Sequence, residues 1–267
     1  MSLDNINLIA KDKEALLELE GILGEPIQVV KSAGMYNSGF SHEDGVVTKL
    51  SLRQKKLTTL PECICELVNL EMLFLRDNLL QTLPPTIVRL KKLVNLDVFN
   101  NKITTLPENF GELEEVKRVD LSVNMINFLP ESIGDLKKLN KFGLYNIQLM
   151  ELPESIGKME SLQWLGAWKN QIKELPETIG NLPMMEKLWL QHNKLVTLPE
   201  SIGNLRTLNE LQIFDNPLEK LPESINELTS LQKLGINSKK TKNPFKLDEN
   251  QEKWIEQLKS KGCKVQY

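Results

Sequence analysis

The sequence predicts an α/β solenoid in which a parallel β-sheet lines the concave face and short helical or irregular turns form the convex face. The first observation behind this prediction is a Leu-Pro pair that recurs every 23 residues without insertion or deletion. The second is a pattern of apolar positions, L-x-x-L-x-L-x-x-N, ahead of most pairs. Since one short unit cannot bury its own apolar face, a repeat of this length indicates stacked units that share a core. The pairs begin at Leu60, Leu83, Leu106, Leu129, Leu152, Leu175, Leu198 and Leu221.

This repeat resembles the leucine-rich repeat, and the resemblance covers residues 47–239. The stretch from Leu162 to Pro176, LQWLGAWKNQIKELP, contains one complete unit. The following LPxxIGxL turn is similar to that of the 23-residue type found in bacterial, archaeal and intracellular eukaryotic proteins, including Ras-group scaffolds that bind small GTPases. The resemblance implies a horseshoe that binds proteins, with a small GTPase as one candidate partner.

The composition argues against several classes of partner. Lysine and arginine number 33 against 36 acids, for a net charge of −3, so no global field attracts nucleic acid or an anionic membrane. No apolar run reaches the roughly 18 residues of a membrane helix, and the N-terminus lacks a basic region followed by an apolar core. The sequence has only three cysteines, whereas extracellular repeat arrays usually need paired cysteines in their end caps. We therefore expect a cytoplasmic protein without a membrane or nucleic-acid partner.

Residues 1–46 do not repeat and are predicted to form an N-terminal helical cap. Apolar residues at helical spacing predict a helix within Asp12 to Leu23, with Gly21 or Gly24 to stop it and Pro26 beyond. Residues 31–44 are rich in Gly, Ser and Asn and are predicted to be a surface loop. The segment resembles the N-terminal cap of plant-type repeat proteins but lacks its cysteines, so the resemblance implies a capping role without a disulfide.

Residues 47–239 are predicted to contain nine strand units. In each unit the first, fourth, sixth and eleventh positions are apolar and should face the core, because alternate strand residues face opposite sides. The Leu-Pro-Glu-x-Ile-Gly-x-Leu segments should form the convex turns. The strand segments begin at Val47, Leu70, Leu93, Val116, Leu139, Leu162, Met185, Leu208 and Leu231.

The ninth position of a unit is usually asparagine, whose amide can bond the backbone of adjacent turns. Lys55 and Lys239 replace it in the first and last units, where one neighbour is missing. Ile147 replaces it in the middle of the array, which leaves two interpretations open: a tolerated replacement or a local bend of the solenoid. The regular residues are Asn78, Asn101, Asn124, Asn170, Asn193 and Asn216.

Residues 240–267 are predicted to form a C-terminal capping helix. Asp248 and Gln251 have the spacing of a capping box, and Gly262 should end the helix. Trp254, Ile255 and Leu258 give it an apolar face suited to covering the last repeat.

No complete catalytic, metal or cofactor motif is present in the sequence, so we expect a non-enzyme without a metal or cofactor. Cys63 and Cys65 form C-x-C but lack further ligands nearby and are predicted to be structural. Asp97 and Asp120 occupy equivalent outward positions of neighbouring strands, about 5 Å apart, where one pKa could rise. We expect Arg76 and Arg118 to neutralise them, and therefore assign this pair to structure or partner binding.

The concave face is the predicted binding surface. The third, fifth and seventh positions of each strand point to it, and three of the four tryptophans occupy such positions. Two glycines among them should form the floor of a shallow aromatic cup. The predicted partner-binding residues are Phe74, Asp97, Phe99, Arg118, Asp120, Gly143, Tyr145, Trp164, Gly166, Trp168, Trp189 and Phe214.

Two functions fit this surface. One is a non-catalytic interaction module or scaffold that binds a protein or peptide on its concave face. The alternative is a small-ligand protein that binds a glycan on the tryptophans. The rings could also simply stack to stabilise the sheet. The protein is expected to be a monomer or a weak homodimer that pairs through the same face.

Overall fold

A computed structural model describes residues 3–237 and 245–266 and confirms the α/β solenoid. The described residues form one sheet of eleven strands that follow sequence order. Neighbouring strands from β2 to β11 pair with one another in parallel. The strands are β1 (Gly39–Glu43), β2 (Val46–Ser51), β3 (Met72–Phe74), β4 (Asn95–Asp97), β5 (Arg118–Asp120), β6 (Lys141–Gly143), β7 (Trp164–Gly166), β8 (Lys187–Trp189), β9 (Glu210–Gln212), β10 (Lys233–Gly235) and β11 (Lys264–Gln266).

One continuous core runs between the sheet and the convex turns. In the unit that contains β7, the side chains of Leu162, Leu165 and Ile172 have no exposed area, and Ala167 at the sixth position has none either. Ile179 closes the same layer from the convex side. Each unit therefore buries its apolar positions against its neighbours, as the repeat predicts.

The convex turns are short 3-10 helices. Most begin after a proline with extended backbone, such as Pro130 with φ −67° and ψ 150°. Proline fits here because its fixed φ suits a helix start and the missing N–H has no helical partner at that place. The turns are Glu62–Glu66, Pro85–Arg89, Phe110–Glu112, Glu131–Asp135, Glu154–Lys158, Glu177–Asn181, Glu200–Asn204 and Glu223–Glu227.

The glycine of the convex turn allows close stacking of neighbouring units. A Cβ atom built on Gly134 would overlap the carbonyl oxygen of Ser155 in the next turn, and one on Gly203 would lie 2.6 Å from the carbonyl oxygen of Ser224. In the first unit Cys65 stands at this place and is buried against Thr86. Glycine is thus needed where the turns are closest, rather than for an unusual φ.

The ninth-position asparagines form a buried ladder between units. The Nδ2 atom of Asn170 donates to the carbonyl oxygens of Leu144 and Ala167 at 2.7 and 3.0 Å. Its Oδ1 atom accepts from the backbone N–H groups of Ile147 and Leu149 at 2.9 and 3.1 Å. One amide therefore satisfies backbone groups of two units where the strands have ended.

Ile147 interrupts this ladder and changes the local backbone. Gln148, which follows it, has a φ of +70°, and Lys56, which follows Lys55 in the first unit, has a φ of +56°. Units that carry asparagine at the ninth position lack this second left-handed residue. In the preceding unit, Oδ1 of Asn124 accepts from the Ile103 N–H, and Ile147 has no side-chain oxygen that could accept in the same way from the buried Ile126. The replacement thus changes the local backbone, and the two interpretations, a tolerated replacement and a local bend of the solenoid, both stay hypotheses.

The N-terminal segment lies against the first repeat. Helix α1 (Ala10–Leu23) packs Leu16 and Leu19 into the core, and its buried Asp12 accepts from the Val47 N–H at 2.8 Å. The prediction of a loop over residues 31–44 is wrong at its end, because β1 pairs there with β2 in antiparallel fashion. This pairing gives the first strand of the repeat array a neighbour.

At the other end, helix α2 (Glu249–Ser260) lies against the last convex turn. Asp248 and Gln251 form the reciprocal capping box, with the Gln251 N–H donating to Asp248 at 2.9 Å. Ile255 and Leu258 are buried, and β11 pairs with β10. The predicted exception at Lys239, and the predicted boundary beside it, lie outside the described residues. No helix in the described ranges is long and apolar enough to cross a bilayer.

Candidate functional site

The aromatic residues of the concave face come together at the middle of the sheet. Gly166 on β7 pairs with Gly143 on β6 and with Trp189 on β8. Trp164, at the start of β7, pairs with Lys141 and Lys187 on the same two strands. The parallel register therefore gathers the rings of neighbouring units on one surface.

Trp164, Trp168, Trp189 and Tyr145 form a group that we call the tryptophan cluster. The centroid of Trp164 lies 5.5 Å from that of Trp189, with the ring planes at 84°. Trp168 meets Trp189 edge to face at 5.6 Å and stacks on Tyr145 at 4.7 Å. All four rings remain partly exposed. Each edge-to-face pair stabilises by about 0.5–1.5 kcal/mol beyond its buried area.

The prediction that two glycines form the open floor of a cup is wrong, because side chains cover both of them. A Cβ atom on Gly166 would lie 2.5 Å from the Trp164 ring and 2.6 Å from the Trp168 ring, so the indoles cover this glycine directly. A Cβ atom on Gly143 would lie 2.7 Å from Oδ1 of Asp120. Both glycines are buried and make room for neighbouring side chains. The surface is consequently an aromatic patch that covers Gly166 and is bordered by depressions.

Two polar atoms beside the cluster lack protein partners. Among the described residues, the indole N–H of Trp189 and Oε1 of Gln191 are buried without a hydrogen bond. An unsatisfied buried polar group costs about 1–3 kcal/mol. The cluster therefore includes one indole donor that no described residue satisfies.

A row of cations borders the cluster on one side. We define the basic row as the third-position residues of three repeat units, which begin β5, β6 and β8: Arg118, Lys141 and Lys187. Within the described part of the chain, none of the three forms an ion pair. Together with Trp164 and Trp189 they line a depression of about 450 Å³.

Gln163 and Glu186 also line this depression, and neither was predicted from the sequence. They occupy the second position of a unit, just before the short strand begins. An interpretation restricted to the third, fifth and seventh positions excludes them. Their spacing ahead of the two tryptophan-bearing strands was the available signal.

A carboxylate pair lies on the other side of the cluster. Nε of Arg76 lies 3.0 Å from Oδ2 of Asp97, and Nη2 lies 3.5 Å from Oδ2 of Asp120. Arg118 makes no ion pair with them in the described residues, so Arg76 alone neutralises the pair, contrary to expectation. The Arg76 guanidinium also lies 4.4 Å from the Phe99 ring centroid.

The pKa of Asp97 is raised to about 6, mainly by burial and in part by the neighbouring Asp120, although Arg76 acts to lower it. The carboxylates also serve the backbone: Asp97 accepts from the Phe99 N–H and Asp120 from the Ser122 N–H, each at 3.1 Å. This is a structural role at the end of each strand. The geometry gives no reason to assign acid–base catalysis to the pair.

Met35 is a further lining residue that was not predicted from the sequence. It comes from the N-terminal segment, and its Sδ lies 3.9 Å from Nη1 of Arg76. With Asp97, Asp120 and Trp164 it lines a smaller depression of about 140 Å³. No repeat position marks Met35, because its place depends on how the preceding segment folds over the first units.

The remaining predicted aromatics lie apart from the cluster. Phe74 is buried, and Phe214 contacts His192 edge to face at 5.5 Å. His192 in turn lies 3.3 Å from Asp215. These residues share the concave face but do not extend the tryptophan cluster.

The cysteines are buried thiols. Burial raises the pKa of Cys63 to about 11 and also raises the pKa of Cys65. Both remain protonated at neutral pH and are poor nucleophiles and metal ligands. The described residues contain no group of three or more His, Cys, Asp or Glu side chains arranged to hold a metal ion.

A larger depression of about 590 Å³ lies between convex turns rather than on the concave face. Gly111, Glu112, Asp135 and Lys137 are among the residues that line it. It contains no aromatic side chain and mixes charges of both signs. The tryptophan cluster and the basic row remain the better candidate site.

Comparisons with known proteins identify the repeat. A family model described as a leucine-rich repeat region matches residues 127–260, half of the chain, and a leucine-rich repeat model matches residues 92–113. The chain matches no curated protein.

Solved structures of repeat proteins share the fold. The plant peptide hormone receptor RGFR1 in complex with RGF2 is 26% identical, with a TM-score of 0.62 over 72% of this chain and 36% of the receptor chain. The crystal structure of PEPR1-AtPEP1 is 28% identical, with a TM-score of 0.61 over 74% and 32%. The chain thus spans about a third of the length of each of these two chains.

The leucine-rich repeat domain of the type III effector XCV3220 (XopL) is 22% identical, with a TM-score of 0.56 over 72% of this chain and 74% of the domain chain. At this identity the similarity shows the fold alone.

Proposed function

Because the chain belongs to the leucine-rich repeat family, we propose that it is a non-catalytic interaction module whose tryptophan cluster binds a peptide segment of a protein partner. The observation that carries the proposal is the cluster itself, with four partly exposed rings gathered on the concave face. Tryptophan and tyrosine at the centre of a surface are typical binding hot spots. The RGFR1 structure, a peptide hormone receptor in complex with RGF2, adds support at the level of the family.

Binding explains the cluster better than stacking alone does. Stacked rings would stabilise the sheet equally well on a surface without unsatisfied polar groups. Here the indole N–H of Trp189 is buried without a partner in the described residues, although a peptide carbonyl is a suitable acceptor for it. A peptide that moved one ring would therefore gain both apolar contact and this hydrogen bond.

The proposal extends to the class of partner and the compartment. The resemblance to Ras-group scaffolds makes a small GTPase one candidate partner. Three free, buried cysteines fit the reducing environment of the cytoplasm, where disulfides are rare. The same face could also bind a second copy of the chain, which would give a weak homodimer.

A comparison of captured proteins tests the proposal. Wild-type protein and a Trp164→Ala/Trp168→Ala variant are immobilised and incubated with lysate of the source organism. A Met125→Ala/Phe128→Ala variant, which removes exposed apolar side chains elsewhere, is the matched control. We expect the control to retain the specific partners and the concave variant to lose them. Retention by a concave variant with a wild-type circular dichroism spectrum would contradict the proposal.

Two further measurements separate the alternatives. Isothermal titration calorimetry with a panel of sugars tests the glycan hypothesis, and micromolar binding would favour it over a peptide partner. Sedimentation velocity of wild type and the concave variant tests self-association. A dimer that the double substitution abolishes would identify the chain itself as the occupant of the cluster.

A further inference from the structure

We propose that the partner segment is acidic, and that the basic row binds its carboxylates while the tryptophan cluster binds an adjacent apolar or aromatic residue. This inference rests on the proposed function and adds the chemistry of the ligand. Its basis is the uneven distribution of charge around the cluster.

The depression beside the cluster is positively charged, although the chain as a whole has a net charge of −3. Arg118, Lys141 and Lys187 line it, and Glu186 is the one carboxylate among its lining residues. The nearby Glu210, the register partner of Lys187, is shared with Lys233, to which it is bonded at 2.8 Å. The local charge therefore does not follow from composition and favours an anionic ligand.

The cations are spread along a line rather than directed at one point. They occupy β5, β6 and β8, so at a strand spacing of about 4.8 Å the row extends over about 14 Å. A single phosphate group is best bound by donors that converge on it. An extended peptide that crosses the strands rises about 3.3 Å per residue and can present several carboxylates along such a row.

The arrangement also places apolar and charged contacts next to each other. Trp164 lies on the strand between Lys141 and Lys187, and its ring borders the same depression. Elsewhere on the cluster, Nζ of Lys169 lies 5.4 Å from the Tyr145 ring centroid. An acidic segment with an aromatic residue would therefore find cations beside Trp164 and beside Tyr145. The order predicted for the segment is an aromatic or large apolar residue with two or more carboxylates within a few positions.

A peptide selection tests this chemistry while the natural partner is still unidentified. A random twelve-residue display library is selected on wild type, on Lys141→Gln/Lys187→Gln, and on Lys102→Gln/Lys194→Gln as the matched control. The control removes the same charge from exposed lysines away from the depression. We expect wild type and control to enrich peptides with an aromatic residue and an excess of Asp and Glu. The basic-row variant should retain the aromatic preference and lose the acidic one.

Synthetic versions of the enriched peptides measure how much affinity the basic row contributes. By calorimetry, the basic-row variant should bind them about tenfold more weakly than wild type, and added salt should reduce this difference. Analogues with Asn and Gln in place of Asp and Glu should bind wild type about tenfold more weakly and should bind the variant with no further loss. Inorganic phosphate, at matched ionic strength, should compete no better than chloride.

The possible outcomes distinguish failure of this inference from failure of the proposed peptide-binding function. Peptides that need Trp164 and Trp168 but carry no excess of acids would overturn the inference and leave the interaction module intact. Effective competition by inorganic phosphate would overturn the assignment to carboxylates. Enriched peptides that bind equally well to the Trp164→Ala/Trp168→Ala variant would contradict both.

Discussion

Arg76 holds two carboxylates on the concave face, and one of them is almost fully buried. Asp97 is 3% exposed, and its ion pair with Arg76 does not offset the cost of removing its charge from water. The result is a carboxyl group that is more easily protonated in the folded protein than in the unfolded chain. Stability should therefore depend on pH in the direction opposite to that of a typical salt-bridged aspartate.

The pKa of Asp97 is raised from 3.8 to about 6, so its contribution to stability is fully present below pH 3.8 and lost as the pH rises through 6. We expect Asp97→Asn to remove this dependence and to raise the free energy of unfolding at pH 7 by about 1–3 kcal/mol. Urea denaturation of both proteins at pH 4, 5, 6 and 7 measures the free energy of unfolding and its dependence on pH. Asp135→Asn, on the convex side, controls for the loss of one negative charge. If the free energy of unfolding changed with pH equally in wild type and in Asp97→Asn, the prediction would be contradicted.

Asn170 serves two units, one of which has no ladder asparagine of its own. It accepts from two backbone N–H groups, whereas Asn193 accepts from the single N–H of Ile172. We expect Asn170→Ala to cost about 1–3 kcal/mol more than Asn193→Ala, because it strands one additional buried donor. Thermal and urea denaturation of both variants test this. A smaller loss for Asn170→Ala would show that the unit around Ile147 does not depend on it.

The repeat pattern predicted the ladder of ninth-position asparagines, but it did not predict how the tryptophan rings pack above Gly166. The repeat assigns every asparagine a place, since identical positions of stacked units meet the same neighbours. Side-chain rotamers on the concave face have no such constraint. Trp164 and Trp168 are two positions from Gly166 on either side, and only their rotamers decide whether the glycine is open or covered. The members of the cluster could therefore be predicted from the sequence, but the packing of their rings could not.

At the scale of elements, the convex turns depend on glycine for their spacing. We expect Gly134→Ala to lower the free energy of unfolding by about 1–3 kcal/mol, because the new methyl group would collide with the Ser155 carbonyl oxygen. Gly21→Ala in α1 is a control of opposite sign, since its Cβ meets nothing within 4 Å. There the change should stabilise by about 0.5–1 kcal/mol through helix propensity. Destabilisation of the same size at both sites would contradict the packing argument.

Strand β1 shows where element prediction failed. Its residues, Gly39–Glu43, do not alternate between apolar and polar, and Phe40 is the one apolar side chain that they bury. The strand forms because β2 offers an unpaired edge, which is a tertiary effect invisible in a local pattern. The capping box of α2, in contrast, depends on two residues three positions apart and was predictable.

At the scale of the molecule, a solenoid is a chain of nearest-neighbour contacts with two exposed ends. We propose that α2 caps the last repeat, and we expect Ile255→Asp/Leu258→Asp to unfold the array from that end. Amide hydrogen exchange should show lost protection in β10 and β9 while β3 and β4 stay protected. Glu252→Ala/Lys253→Ala, on the exposed side of α2, should leave the profile unchanged. Uniform loss of protection would indicate global cooperativity instead.

The tryptophan cluster has an optical consequence. Three of the four tryptophans lie within about 6 Å of one another, and the fourth, Trp254, is in α2. Indoles at such separations exchange excitation energy, so the emission of these three tryptophans reports on one small region of the concave face. A ligand that moves a single ring should alter both the emission spectrum and its anisotropy. The proposed binding surface therefore carries its own label, and occupancy can be followed without attaching a dye.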